Sequence, residues 1–125
     1  VCDLFMPIVD VEIVGADSVA NDLASRLADV AGQVFGSSPA TTWVRVRLLP
    51  QHLYAENNTG SPEGWHSVFV TVLKVRRPTG AELEAEVHAL TEGIAAVCGR
   101  PAERVHILYE PDGQGRIAFG GRLKT

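Results

Sequence analysis

Pro7 stands directly after Met6 at the head of the alternating run Pro7-Ile8-Val9-Asp10-Val11-Glu12-Ile13-Val14. What its nitrogen can do depends on what precedes it. As the first residue of the mature chain it points to an enzyme; inside the chain it is a tertiary amide with no basic lone pair. The other residues able to do chemistry are scattered. Arg45 and Arg47 alternate with Trp43, Arg76-Arg77 closes an apolar run, His106 falls inside a later one, and Phe119 precedes Gly120-Gly121. His52, Tyr54 and Asn57 sit in a polar stretch. Each has a plainer reading: a strand-initiating proline, a solvated arginine rim, a satisfied sheet histidine, and for Arg45 and Arg47 an interface salt bridge, which we favour over a role in a neighbouring subunit's site. Cys98 ends an apolar stripe and is most simply core. With only Cys2 besides, there is neither a disulfide framework nor metal-ligand spacing, so no metal is expected and a reducing cytoplasm is the expected compartment.

The elements that must position these residues follow from composition and period. At 125 residues and 46% apolar, the chain can build one unstapled core. No apolar run could span a bilayer, and a net charge of −4 argues against a nucleic-acid binder, which needs clustered basic surface. Pro7 to Val14 sets Ile8, Asp10 and Glu12 against Val9, Val11 and Ile13, the period of a half-buried strand. Gly15-Ala16 breaks it, and Asp17 or Ser18 is expected to cap a helix whose apolar stripe is Val19, Leu23, Leu27, Val30 and Val34, ending at Gly36. Thr42 to Leu49 reads as a second strand with Val44, Val46 and Leu48 on the core face and Trp43, Arg45, Arg47 and Leu49 on the other. Gln51 to Trp65 is a long polar loop.

Ser67 to Val75 is nearly continuous in Val, Phe, Thr and Leu, which predicts a strand covered on both faces. Thr79-Gly80-Ala81-Glu82 reads as a capping box opening a second helix. Its stripe is Leu83, Val87, Leu90, Ile94 and Val97, and Gly99 ends it. Arg104 to Tyr109 is a fourth strand, and Pro111-Asp112-Gly113 with Gly115 turns into Arg116 to Phe119.

The two halves repeat one pattern. Gly36-Ser37-Ser38-Pro39 before Val44, Val46 and Pro50 parallels Gly99-Arg100-Pro101 before Val105, Ile107 and Pro111, an offset of about sixty residues. A duplicated β-α-β unit is the simplest account, with units at about 7–58 and 67–125 after an extension of residues 1–6. In each unit one helix crosses between parallel strands, so the expected fold is a four-stranded sheet with both helices on one side. The other face stays apolar, which predicts burial against further subunits.

This architecture, with Met6-Pro7-Ile8-Val9 opening it, resembles the tautomerase superfamily, whose members include 4-oxalocrotonate tautomerase, macrophage migration inhibitory factor, malonate semialdehyde decarboxylase and cis-3-chloroacrylic acid dehalogenase. The likeness runs from Pro7 to Leu123. It is most specific at Pro7-Ile8-Val9, at Val70-Thr71-Val72-Leu73 leading into Arg76-Arg77-Pro78, and at Arg104-Val105-His106-Ile107-Leu108-Tyr109-Glu110 followed by Phe119-Gly120-Gly121. The resemblance implies an α+β fold of α/β-type units, assembled as a homotrimer whose sheets face inward as a barrel, and a cofactor-free enzyme.

It also implies a mechanism. An amino-terminal proline is a secondary amine, and α-amino groups titrate at about 7.7–8.0 before any environment acts. An apolar pocket with nearby arginines disfavours its protonated form and leaves a general base at neutral pH. Arginines also clamp a carboxylate and stabilise the enolate that proton transfer develops. The resemblance places Pro7 at the catalytic proline, Arg76 and Arg77 in the region of the substrate-binding arginines, where the placing of a gap decides which one aligns, and His106 at a pocket position; Phe119 and Arg45 are further candidates toward the substrate. His106 departs from the pattern, because the family places an arginine or a tyrosine there. The expected substrate is a small 2-oxo or unsaturated carboxylate. The alternatives are dehalogenation, hydration or decarboxylation of a three-carbon acid with a protonated Pro7, although Thr41-Thr42 replaces the decarboxylase's aspartate, and a non-catalytic trimer whose Pro7 stays blocked. Translation from Met6, with that methionine trimmed, is the expected route to a free Pro7. Where it is kept, the extension is expected to lie near the pocket.

Overall fold

The computed structural model describes residues 6–60 and 66–125. Residues 1–5 of the expected extension, and the last five residues of the polar loop, lie outside them. Four strands form one sheet in the order β2-β1-β3-β4, with β1 at Ile8–Val14, β2 at Trp43–Leu49, β3 at Val68–Leu73 and β4 at Val105–Tyr109. β1 runs parallel to β2 and antiparallel to β3, and β3 runs parallel to β4. Helices α1 (Leu23–Phe35) and α2 (Gly80–Cys98) are the two crossovers. Both pack on the same side of the sheet, so each β-α-β half contributes one helix to a shared layer.

Strand alternation builds the core. Val9, Val11 and Ile13 on β1 and Val68, Val70 and Val72 on β3 are buried, facing Leu23, Leu27 and Ala31 of α1 and Leu90, Ile94 and Ala95 of α2. Val44, Val46 and Leu48 complete that face from β2. α1 and α2 approach closely at Gly93, where an added Cβ would meet Val30 Cγ1 at 2.5 Å. Burial also pushes the Cys98 thiol above its ordinary pKa.

Three local expectations change. α1 begins at Leu23 after Asp22, not at Asp17 or Ser18, and Val19 is left exposed outside the helix. The chain needs residues 16–22 to climb from the end of β1 to the helix layer, so the four-residue stripe starts one turn later. Thr79 does occupy the cap position of α2, in an extended conformation, but its hydroxyl makes no capping bond. Glu82 still stands in the first turn, where its charge favours the helix dipole. Lastly, β3 is covered on one face only: Val68 and Val70 are buried, whereas Phe69 is 38% exposed, as is its neighbour Leu108 at 62%. With both helices on one side, no helix covers the other face of the sheet among the described residues.

After β4 the chain folds back as a small hairpin of β5 (Ala118–Phe119) and β6 (Arg122–Leu123). Gly120 and Gly121 take φ of 58° and 84°. Two successive left-handed residues are what a tight type I′ hairpin requires, and glycine adopts them without a Cβ clash. Among the described residues, no helix is long and apolar enough to cross a membrane.

Candidate active site

Pro7 is fully buried at the head of β1. Its carbonyl accepts a 3.0 Å bond from Trp43 N, so the head of β1 is tied to the head of β2. In a parallel ladder the amide nitrogen of the same residue faces the same neighbour, and a proline there forfeits one bond only. Because β3 runs antiparallel, its carboxyl end lies beside Pro7: Ile8 pairs with Leu73, and Lys74, Val75, Arg76 and Arg77 follow. The structure therefore brings Pro7, Arg76 and Arg77 to one end of the sheet.

The arginines differ in how they are held. Arg76 Nε donates to Gln114 Oε1 at 2.9 Å, and Arg77 approaches Asp112 through its backbone N at 3.1 Å and its Nε at 3.4 Å. Both are exposed. They border a hollow of about 490 Å³ on the helix side, with Phe35, Lys74, Pro78 and Glu86. Phe119 stacks on Trp43 with ring centroids 5.3 Å apart and planes 18° from parallel. That pair, with Ile8 and Gly120, lines a second hollow of about 480 Å³ on the bare face. Phe119 thus reaches the end of the sheet where Pro7 lies, on the opposite side from Lys74.

Arg45 is further along. Its guanidinium grips Asp10 through Nε at 2.6 Å and Nη2 at 2.9 Å, which raises its pKa, and Arg47 comes within 4.0 Å of the same carboxylate. Asp10 and Arg45 line a hollow of about 320 Å³ with Ile8, Leu73, Arg116 and Ile117. Arg45 already has a carboxylate partner within the chain.

His106 is not brought to Pro7 within one chain. It pairs with Phe69, which pairs with Glu12, five residues down β1 and so about 17 Å from Pro7 at the ordinary strand rise. There its Nε2 lies 3.4 Å from Ser67 Oγ, and its ring 5.4 Å from that of Phe69. Tyr54 joins this cluster, 3.2 Å from Ser67 Oγ and donating to Glu56 at 2.7 Å, while Arg104 reaches the same Glu56 oxygen at 3.0 Å. Of the polar-loop residues Tyr54 acquires partners here, and burial raises its hydroxyl pKa.

Sequence reasoning missed a buried polar group next to Pro7. Lys74, with 3% of its side chain exposed, lies 2.9 Å from Glu86 Oε1, and the other Glu86 oxygen accepts the Tyr109 hydroxyl. The ammonium also sits 4.6 Å from the centroid of the Phe35 ring, a cation–π geometry. Burial, and then the bond to Glu86, push the Tyr109 hydroxyl well above its ordinary value. A signal was present: Val68, Val70, Val72 and Lys74 fall at steps of two, which puts the lysine on the core face.

The fold matches solved structures across nearly the whole chain. Native fused 4-OT superposes with a TM-score of 0.77 at 16% identity, covering 93% of this chain and 94% of that one. Pt0534 inactivated by 2-oxo-3-pentynoate gives 0.72 at 18% identity, covering 94% of both chains. MIF2 of Leishmania major gives 0.70 at 15% identity, covering 94% and 96%. No family model and no curated sequence relative matches the chain. At these identities the likeness defines the fold, the duplicated β-α-β sheet these proteins share.

Proposed function

We propose that the form of this chain beginning at Pro7 is a tautomerase-superfamily enzyme, a homotrimer that isomerises a small 2-oxo or unsaturated carboxylate without a cofactor. One observation carries the reading. Pro7 is fully buried at the head of a central strand, at the sheet end that also gathers Lys74, Arg76 and Arg77. A free secondary amine there would be shielded from water, at the sheet end where Lys74, Arg76 and Arg77 gather, which favours its neutral, proton-accepting form. The exposed guanidiniums of Arg76 and Arg77 suit a substrate carboxylate. Proton abstraction beside the oxo group by the Pro7 nitrogen, followed by return of that proton to the far carbon, completes an isomerisation. The arginines balance the charge of the intervening dienolate.

The solved neighbours support this reading by what they are: fused 4-OT in symmetric and asymmetric trimers, and a protein inactivated by a 2-oxo acid. The bare sheet face, with Phe69 and Leu108 exposed, supports assembly through that face. The test is phenylenolpyruvate ketonisation by the chain beginning at Pro7 and by the chain beginning at Val1. Turnover by the first alone is the expected result. Equal turnover by both removes the amine from the mechanism, and silence from both removes the activity.

A further inference from the structure

Five polar side chains meet at the Ser67 end of the sheet, away from Pro7. Ser67 Oγ, buried at the head of β3, lies 3.4 Å from His106 Nε2 and 3.2 Å from the Tyr54 oxygen. Tyr54 donates to Glu56 Oε2 at 2.7 Å, and Arg104 Nη1 donates to the same oxygen at 3.0 Å. The exposed Phe69 ring adjoins two members, its centroid 6.0 Å from that of Tyr54 and 5.4 Å from that of His106. Because β4 is an edge strand and Arg104 and His106 stand at its start, the cluster makes one corner of the sheet.

Proton counting gives this network one direction. A carboxylate only accepts, so Tyr54 gives its single proton to Glu56 and its oxygen is left to accept from Ser67. Ser67 then has no proton for His106, and the contact between them requires the hydrogen to sit on His106 Nε2. A neutral imidazole in that form is an acceptor at Nδ1. Among the described residues nothing bonds that nitrogen, and Nε and Nη2 of Arg104 are likewise without partners. Val105 between them is buried in the core, so by strand alternation Arg104 and His106 share the opposite face. An oriented acceptor, a cation with unused donors and an exposed aromatic ring therefore stand together.

We propose that this corner is a second binding site, which takes a 2-hydroxy carboxylate carrying an aromatic tail. The unused guanidinium donors of Arg104 take the carboxylate. His106 Nδ1 accepts the hydrogen of the adjacent hydroxyl, and Phe69 packs against the tail. An acceptor at that point has nothing to offer an oxo oxygen, so the site prefers the hydroxy acid to its oxo counterpart. Ser67, Tyr54 and Glu56 are positioning residues: they fix which ring nitrogen of His106 bears the hydrogen. Neither Pro7 nor the Arg76–Arg77 pair takes part, so the site does not depend on whether Pro7 is an amine.

The chain beginning at Val1, in which Pro7 is an amide, is the protein to test. Labelled with 15N-histidine near pH 8, where an ordinary imidazole is neutral, it should show His106 with its hydrogen on Nε2. Addition of 3-phenyllactate should shift the His106 Nδ1 signal to saturation. In calorimetry 3-phenylpropionate, which lacks only the hydroxyl, should bind about tenfold more weakly. His106→Phe should abolish that difference, and Arg104→Gln should weaken both acids by about tenfold or more. Ser67→Ala should release the ring hydrogen to either nitrogen and shrink the preference, whereas a serine that only packs would change the melting temperature alone. Tyr54→Phe keeps the test available where Ser67→Ala does not fold: it frees the Ser67 proton for His106 Nε2 and should shrink the preference in the same way. A hydrogen on Nδ1 in the parent, equal binding of the two acids, or binding unchanged by both His106→Phe and Arg104→Gln overturns the proposal.

Discussion

Lys74 Nζ lies 2.9 Å from Glu86 Oε1 with 3% of the lysine side chain and 12% of the glutamate exposed. Two opposite charges are thus held out of water between a strand and a helix. Such a pair adds little net stability against apolar replacements of the same volume, but losing one partner leaves a buried charge uncompensated. Lys74→Met alone is expected to cost about 3–5 kcal/mol in urea unfolding. Lys74→Met combined with Glu86→Leu should recover most of that loss, and equal costs for the two variants would show that the pair is not buried in solution.

Tyr109 predicts an alkaline limit. Its hydroxyl is shifted up from an ordinary 10.0 by burial and then by the bond to Glu86, so the folded state holds a proton that the unfolded state releases. The resulting stability is complete below pH 10 and is lost as the pH climbs above it toward the folded value. Tyr109→Phe removes that dependence and costs about 1–3 kcal/mol at neutral pH by leaving a Glu86 oxygen unbonded. Unfolding free energies from pH 8 to 11 for parent and variant would check both statements.

Two helix glycines should respond in opposite directions. At Gly32 an added Cβ meets nothing within 4 Å, so Gly32→Ala should stabilise α1 by about 0.5–1 kcal/mol through helix propensity. At Gly93 it meets Val30 Cγ1 at 2.5 Å, and a β-branched side chain has little rotamer freedom with which to yield. Gly93→Ala is expected to destabilise by about 1–3 kcal/mol. Thermal melts of the two variants side by side suffice.

For the proposed activity, Arg76→Gln/Arg77→Gln in the chain beginning at Pro7 should lower kcat/KM by about 10–100-fold, the usual worth of a charge-assisted carboxylate contact. Because both side chains are exposed, the melting temperature should hardly move. Loss of activity accompanied by unfolding would instead make the pair structural.

The proposed trimer is open to a single substitution on the bare face. Leu108 is 62% exposed beside Thr71 on the open side of the sheet. Leu108→Asp should reduce an assembly of three 13.4 kDa chains to one, read by sedimentation equilibrium. An unchanged mass would place the interface elsewhere.

Period and punctuation made the four strands, two helices and their common face legible, because those depend on residues close in sequence. The misplaced start of α1 shows where that ends. Val19 continues the four-residue stripe, yet the distance from sheet to helix layer consumes that turn of chain. His106 was assigned to its strand, but the direction of β4 relative to β1 is a property of the whole sheet and sends the histidine to the far end. Lys74 sat on the core face by simple alternation, but its partners come from α2 and β4. Glu86 comes 12 residues later and Tyr109 another 23 beyond it, so nothing local in the sequence marks these two as its partners.

The antiparallel seam between β1 and β3 relates the two halves by an approximate two-fold axis through the middle of the sheet. It creates two pseudo-equivalent strand heads, at Pro7 and at Ser67, both buried. A protein assembled from identical half-length units must carry the same residue at both. Here one head is a proline beside Lys74, and the other a serine within reach of His106 and Tyr54. Fusing the halves therefore frees selection to change one corner while the other stays fixed, so a single polypeptide can evolve two unlike environments within one symmetrical frame.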